Sequence, residues 1–294
     1  MPASAPATLR SIATLLGALF LFVLLDATAK HLSRTYPVPM LVWGRYLVHF
    51  VLMAALLGPS MGGRLVSTDR PARQVLRALC LLAVTFLTMA ALARMPLAET
   101  NAIVFTAPLL VTLLARPILG ERIGALRWAA VLVGFAGVLL IVRPGNGLVA
   151  EGVLLALASA VCYAIYQILT RQLTATESPV TMLFYTALVG TAGMTLLLPW
   201  IWSGPLPDVT DALLIASLGI NGGAGHFLLI RAFRDAPAST LSPILYVQLM
   251  WAMLVGWLAF DHFPDGPALA GILTIGGAGA MIALQGRRDG RKRR

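Results

Sequence analysis

The sequence predicts an all-α integral membrane protein of ten transmembrane helices, arranged as two inverted five-helix repeats, and three observations carry that expectation. Hydrophobic residues make up 59% of the 294 and charged residues only 12%, with a mean hydropathy of +0.85, a balance that soluble domains do not show. Ten apolar stretches follow one another along the chain. The polar break Arg143-Pro144-Gly145-Asn146-Gly147 divides them five and five. Five is odd, so the second set of crossings enters the membrane from the side opposite to the first.

The charge-free cores of spans 1 to 5 run from Ser11 to Leu25, Tyr46 to Gly63, Ala78 to Ala93, Thr100 to Ala115 and Trp128 to Val142. Those of spans 6 to 10 run from Gly152 to Thr170, Ser178 to Pro207, Ala212 to Ile230, Ala236 to Phe260 and Gly266 to Gly286. A spanning helix needs about 20 mostly apolar residues, so the shorter first-half runs need flanking charged side chains that reach out to the interface. Trp43, Trp128, Trp200, Trp202 and Trp257 lie toward span ends, where interfacial anchoring explains them. The expected units are residues 1–145, residues 146–286 and a basic tail at 287–294.

The net charge of +10 is explained by its distribution. With the amino terminus inside, the inner segments hold Arg10, Arg64, Arg70, Arg73, Arg77, Arg116, Arg122, Arg127, Arg171, Arg231 and Arg234, together with six basic residues between Arg287 and Arg294. The outer segments hold only Lys30, Arg34, Arg94 and Arg143, and Arg45 lies within a span. Such a bias sets orientation, so both termini are expected in the cytoplasm, with the chain in a bacterial inner membrane. The tail fits contact with anionic lipid. No aromatic residues interleave its charges for base stacking, so no nucleic-acid partner is expected.

Several classes lack their machinery. The first run leads into Asp26 and Lys30 rather than a small-residue cleavage site, so it is expected to be a retained helix. Cys80 and Cys162, the only cysteines, sit in apolar runs as small hydrophobes. No Gly-rich phosphate loop, His-Glu-x-x-His or Gly-x-Ser-x-Gly occurs, so neither an enzyme nor a cofactor or metal is expected. The histidines stand scattered at 31, 49, 226 and 262.

Met95 to Gly145 carries Pro96, a small-residue run at Ala98, Pro108 in mid-helix, the Gly120-Glu121 pair, and Gly134 with Gly137. In order and spacing this resembles the EamA family of the drug/metabolite transporter superfamily, and Ser159 to Leu173 is similar to the opening helix of that family's second half. The resemblance implies ten helices, inverted five-helix repeats, and export or exchange of small metabolites, as in the family's amino-acid exporters. A shift of 140 residues places Ala98 and Thr100 on Ala238 and Thr240, Gly137 on Gly277, Glu121 on Asp261, Pro108 on Gln248 and Gly120 on Phe260. The repeat is weak, and the second half departs from the family pattern.

Residue chemistry adds detail. Pro108 removes a backbone donor and bends span 4, while Gly134 and Gly137 allow close packing in span 5. Isolated charges at a span centre cost roughly 2.5–3.5 kcal/mol. Asp26 and Lys30, four apart, form either a self-contained ion pair or a cavity pair for a zwitterion. Arg45, four residues before His49, is expected to snorkel or to pair with Asp26 rather than bind substrate, and Glu99 to be solvated at the outer end of span 4. Ser159, Tyr163, Tyr166, Gln167 and Thr170 gather on one face of span 6 as interhelical glue or, favoured, a cavity wall. Span 9 offers Ser239, Ser242, Tyr246 and Trp251; Asn101, Asn221 and His226 add hydrogen-bonding groups. The expectation is a secondary carrier for a small organic metabolite, amino acids foremost and organic cations second, working outward as a monomer by alternating access between the halves.

Overall fold

The structure, a computed structural model, describes residues 5–119, 124–143, 148–174, 176–203, 205–235 and 241–292. Expectations resting on Gly120 to Arg122, on Pro144 to Gly147 and on Ala238 to Thr240 lie outside the described residues. So do those on the side chains of Arg116, Arg127, Arg234, Ser242 and residues 287–294.

The first half comprises α1 (Ala5–Leu32), α2 (Val38–Met61), α3 (Pro71–Leu92), α4 (Leu97–Val104), α5 (Ala107–Leu119) and α6 (Ala125–Val142). The second comprises α7 (Ala150–Leu173), α8 (Pro179–Ile201), α9 (Val209–Asp235), a 3₁₀ turn at Ser242–Tyr246, α10 (Val247–Phe260) and α11 (Gly266–Lys292). Among the described residues nine helical segments are long and apolar enough to cross a membrane, and Trp128–Val142 is a shorter apolar tenth. The ten crossings form two five-helix repeats, the second inverted. Helix starts follow local chemistry: Pro71 and Pro179 open α3 and α8, where the missing N–H is harmless. The Asp265 carboxylate accepts from the Ala268 N–H at 3.0 Å and caps α11.

Spans 4 and 9 are both interrupted. Pro108 offers the Val104 carbonyl no donor, and the Thr106 N–H turns to Ile103 at 3.1 Å instead of Ala102. The chain therefore breaks at Phe105-Thr106 between α4 and α5. The 140-residue shift carries Ala107, the first residue of α5, onto Val247, the first residue of α10. The two breaks thus fall in the same register, although only the first is followed by a proline.

The halves interlock. Helix α1 packs on α9 and α10, α3 on α7 and α8, α2 on α8 and α9, and α6 on α11. A Cβ on Gly137 would stand 2.8 Å from the Gly271 carbonyl oxygen, and one on Gly271 2.5 Å from the Gly137 oxygen, so α6 and α11 meet at these two glycines. Gly134 admits the Leu109 side chain. Outward-facing Leu139, Leu154, Leu196 and Phe227 are exposed; in a bilayer they meet acyl chains rather than water.

Candidate functional site

A cavity of about 180 Å³ lies between the halves, with the break in span 4 and the 3₁₀ turn of span 9 in its wall. Its charged groups are Asp26 from α1 and Arg45 from α2. Asn101, Gln167 and Gln248 supply amides, and Phe22, Phe105, Tyr163, His226 and Tyr246 supply rings. Pro108 lines it beside the break.

Asp26 is held from one side. Its Oδ2 accepts from Asn101 Nδ2 at 3.1 Å, and Oδ1 has no protein donor among the described residues. Asn101 Nδ2 also reaches the Leu97 carbonyl at 3.1 Å, while its Oδ1 accepts from Gln248 Nε2 at 3.2 Å. Arg45 donates from Nη1 to Thr85 Oγ1, its one protein acceptor among the described residues, and its plane lies 5.3 Å from the Tyr46 ring centroid. The remaining guanidinium donors stay available to the cavity. The Tyr163 hydroxyl and the Gln167 amide line the cavity and likewise lack a protein hydrogen-bond partner among the described residues. Tyr246 crosses Phe105 edge-on at 5.7 Å, and its buried hydroxyl has no partner among the described residues. His226 meets Phe22 at 4.9 Å.

Of the residues selected from sequence, Asp26, Asn101, Tyr163, Gln167, His226 and Tyr246 come together here. Lys30, Tyr166, Asn221 and Trp251 do not. The Lys30 ammonium donates to the Leu92 and Met95 carbonyls at 2.8 and 2.6 Å, capping the end of α3 instead of pairing with Asp26. The Tyr166 hydroxyl takes a hydrogen bond from Arg77 Nη2 at 2.9 Å. Arg77 is buried and also donates to Thr170 at 2.8 Å, the Met182 carbonyl at 2.9 Å and Thr186 at 3.2 Å. So Tyr166 and Thr170 join α3, α7 and α8 rather than form a cavity wall, and Ser159 is spent on Thr88 at 2.7 Å. Trp251 packs edge-on against Phe20 at 5.1 Å, and Asn221 lies on α9 away from the cavity lining.

Two expectations about charge are corrected. Arg45 lines the cavity with its Nη1 on Thr85 rather than on Asp26 or at the interface, because α2 begins at Val38, which carries Arg45 about 10 Å into the span. Glu99 is 4% exposed rather than solvated and pairs through Oε1 with His262 Nε2 at 3.0 Å. Arg45 and Gln248 are the residues that sequence reasoning missed. An arginine inside a span was the visible signal for the first, and the Gln standing where the first repeat has Pro108 was the signal for the second.

Outside the spans, polar contacts join the halves at the end bearing the α3–α4 and α10–α11 connections. Arg94 meets Glu151 at 2.9 Å, Arg143 pairs with Asp265, and the Tyr36 hydroxyl donates to Asp211 at 2.7 Å. The bond to Asp211 pushes the Tyr36 phenol up to about 12. Hydrogen bonding by Arg143, with help from the Ala268 N–H, holds the Asp265 carboxyl below its ordinary value.

Inverted helical repeats closing on a central cavity with one acid, one base, amides and rings define a membrane carrier for small molecules. The model of the EamA-like transporter family matches the chain twice, over residues 9–143 and 150–284, and the chain belongs to that family. It is a multi-pass small-molecule transporter. It is 28% identical over 214 residues to an S-adenosylmethionine uptake transporter of Rickettsia bellii, covering 73% of each chain. It is 30% identical over 207 residues to a riboflavin transporter of Rhizobium johnstonii, covering 69% of this chain and 67% of that one. A solved crystal structure shares the fold, with a TM-score of 0.69 at 21% identity over 95% of this chain and 98% of that chain.

Proposed function

We propose that this protein carries small amphipathic metabolites with an α-amino-carboxylate head group, amino acids with aromatic side chains foremost, by alternating access between units 1–145 and 146–286. The observation that carries the reading is the pairing of Asp26 and Arg45 in a cavity whose other walls are amides and rings. A free carboxylate oxygen suits an ammonium, and the unpaired guanidinium donors suit a carboxylate, which they bind in a planar fork. Tyr163, Phe105 and Tyr246 offer faces for a side chain. A volume of about 180 Å³ is below the ~300 Å³ at which drug-sized pockets begin, and so favours a compact substrate over a flavin.

S-adenosylmethionine, which the Rickettsia relative is named for taking up, bears the same head group, but its adenosyl part makes it as bulky as a flavin, so the volume ranks it behind phenylalanine and tyrosine. An organic-cation exporter is the weaker reading, because Arg45 beside the site repels a substrate with no anionic group. A carrier runs down whichever gradient drives it, so outward transport from the cytoplasm and the uptake named for the relatives use one machine. The Lys/Arg bias supports both termini on the cytoplasmic side of a bacterial inner membrane. The test is counterflow in proteoliposomes with labelled phenylalanine, tyrosine and S-adenosylmethionine. Saturable flux of at least one is expected. Flux of organic cations with none of the three would overturn the proposal.

A further inference from the structure

We infer that Gln248 is a positioning residue: through Asn101 it aims Asp26 at the substrate ammonium, and it makes that site conditional on how the two halves are docked. The inference rests on the head-group reading above.

An asparagine amide can be turned either way, and only its neighbours decide which end faces where. Here the Leu97 carbonyl and Asp26 hold its Nδ2, and its Oδ1 is held from the other half of the molecule. Gln248, 7% exposed at the start of α10, donates to Asn101 Oδ1 at 3.2 Å. With Oδ1 taken, Nδ2 is left to face Asp26 at 3.1 Å. If Asn101 turned over, two acceptor oxygens would confront each other beside Asp26, in a site where Asn101 is only 3% exposed. The Nδ2 donor occupies one carboxylate oxygen, so the other is left to the cavity.

Asp26 and Asn101 belong to the first repeat and Gln248 to the second. At the matching position of the first repeat stands Pro108, whose side chain has no donor. One amide, present in one repeat only, therefore spans the joint between the halves. When the halves rock apart, Gln248 withdraws, the Asn101 Oδ1 loses that donor, and the amide that orients Asp26 is held less firmly. Affinity for the ammonium then differs between the two states, as a ligand must manage if it is to bias a conformational equilibrium.

The test uses full-length protein in proteoliposomes, with labelled phenylalanine as substrate and 3-phenylpropionate, which lacks the ammonium, as competitor. Gln248→Leu should raise the phenylalanine KM severalfold, the scale of one neutral hydrogen bond, with inhibition by 3-phenylpropionate little changed. Gln248→Glu should do worse than Leu, because a carboxylate there opposes the Asn101 Oδ1 and competes with Asp26 for its Nδ2, and Gln248→Asn should recover part of the affinity. Equal shifts for both ligands, or no shift in a variant that keeps the wild-type melting temperature, would overturn the relay and leave the amino-acid reading intact. Wild-type protein that moves no amine-bearing substrate would overturn both.

Discussion

Tyr163 and Tyr166 stack at 5.9 Å on α7, yet they answer to different neighbours. The first offers its hydroxyl to the cavity; the second gives its oxygen to Arg77. Tyr166→Phe leaves a buried guanidinium short of an acceptor, which costs about 1.5–3 kcal/mol. A lowered melting temperature with an unchanged KM in the folded fraction is expected, measured by thermal shift in detergent and by counterflow. Tyr163→Phe, which keeps the stacked ring, should do the reverse, raising KM severalfold at little cost in stability. Arg45→Gln is expected to raise the KM of an amino acid at least tenfold, but not that of the corresponding amine. Thr85 survives the change, since it still donates to the Leu81 carbonyl at 3.0 Å and meets Tyr46 at 2.9 Å. At this scale the sequence showed which residues were too polar for lipid, and Asp26, Asn101, Gln167 and Tyr163 were legible for that reason. It could not show their partners. Lys30 stands four residues after Asp26, a spacing that permits a pair, and nothing local reveals that the carbonyls of Leu92 and Met95 lie closer to hand.

Helices α6 and α11 cross where two backbones nearly touch. A methyl on Gly137 would be 2.8 Å from the Gly271 oxygen and one on Gly271 2.5 Å from the Gly137 oxygen, so the helices must move apart to admit either. Gly137→Ala and Gly271→Ala are each expected to cost about 1–3 kcal/mol, the usual range for overpacking, and to lower the melting temperature accordingly. Gly277 is the control. The 140-residue shift equates it with Gly137, but no atom lies within 4 Å of its Cβ position. Gly277→Ala should therefore be neutral, or stabilising by up to ~1 kcal/mol through helix propensity. Elements were the most legible scale, because a run of apolar residues long enough to span is its own signal. The breaks were half legible: Pro108 announces one, whereas the turn at Ser242–Tyr246 became readable only by repeat symmetry. The glycine crossing was not legible beyond Gly137, since a small residue does not name its partner.

At the scale of the whole molecule, alternating access requires contacts between the halves that hold and then release. Arg94 with Glu151, Arg143 with Asp265, Glu99 with His262 and Tyr36 with Asp211 each join one half to the other near one end of the bundle. The Arg94–Glu151 and Arg143–Asp265 pairs are partly exposed, where ion pairs contribute little, so these two bias the equilibrium without freezing it. Arg143→Gln combined with Arg94→Gln should shift the population toward opening at that end. The expected readout is a severalfold faster reaction of Thr88→Cys, in the cavity wall, with a membrane-impermeant thiol reagent applied from the same face. Cys80 and Cys162 are replaced by Ser so that the new thiol is read alone. The pH dependence has a definite sign. Arg143 depresses the Asp265 carboxyl, so its contribution is fully present above the ordinary carboxylate value and is lost only as the pH falls through the depressed one. Labelling of the Thr88→Cys protein with Arg94 and Arg143 intact should therefore not respond to Asp265 between pH 7 and pH 5. Tyr36 is shifted the other way, up to about 12: its contribution is complete below the ordinary phenol value and fades as the pH rises through the elevated one. Asp211→Asn should bring its ionisation back toward 10, seen as an earlier rise in phenolate absorbance on alkaline titration. No such change with Asp211→Asn would mean that this contact does not join the halves in the membrane.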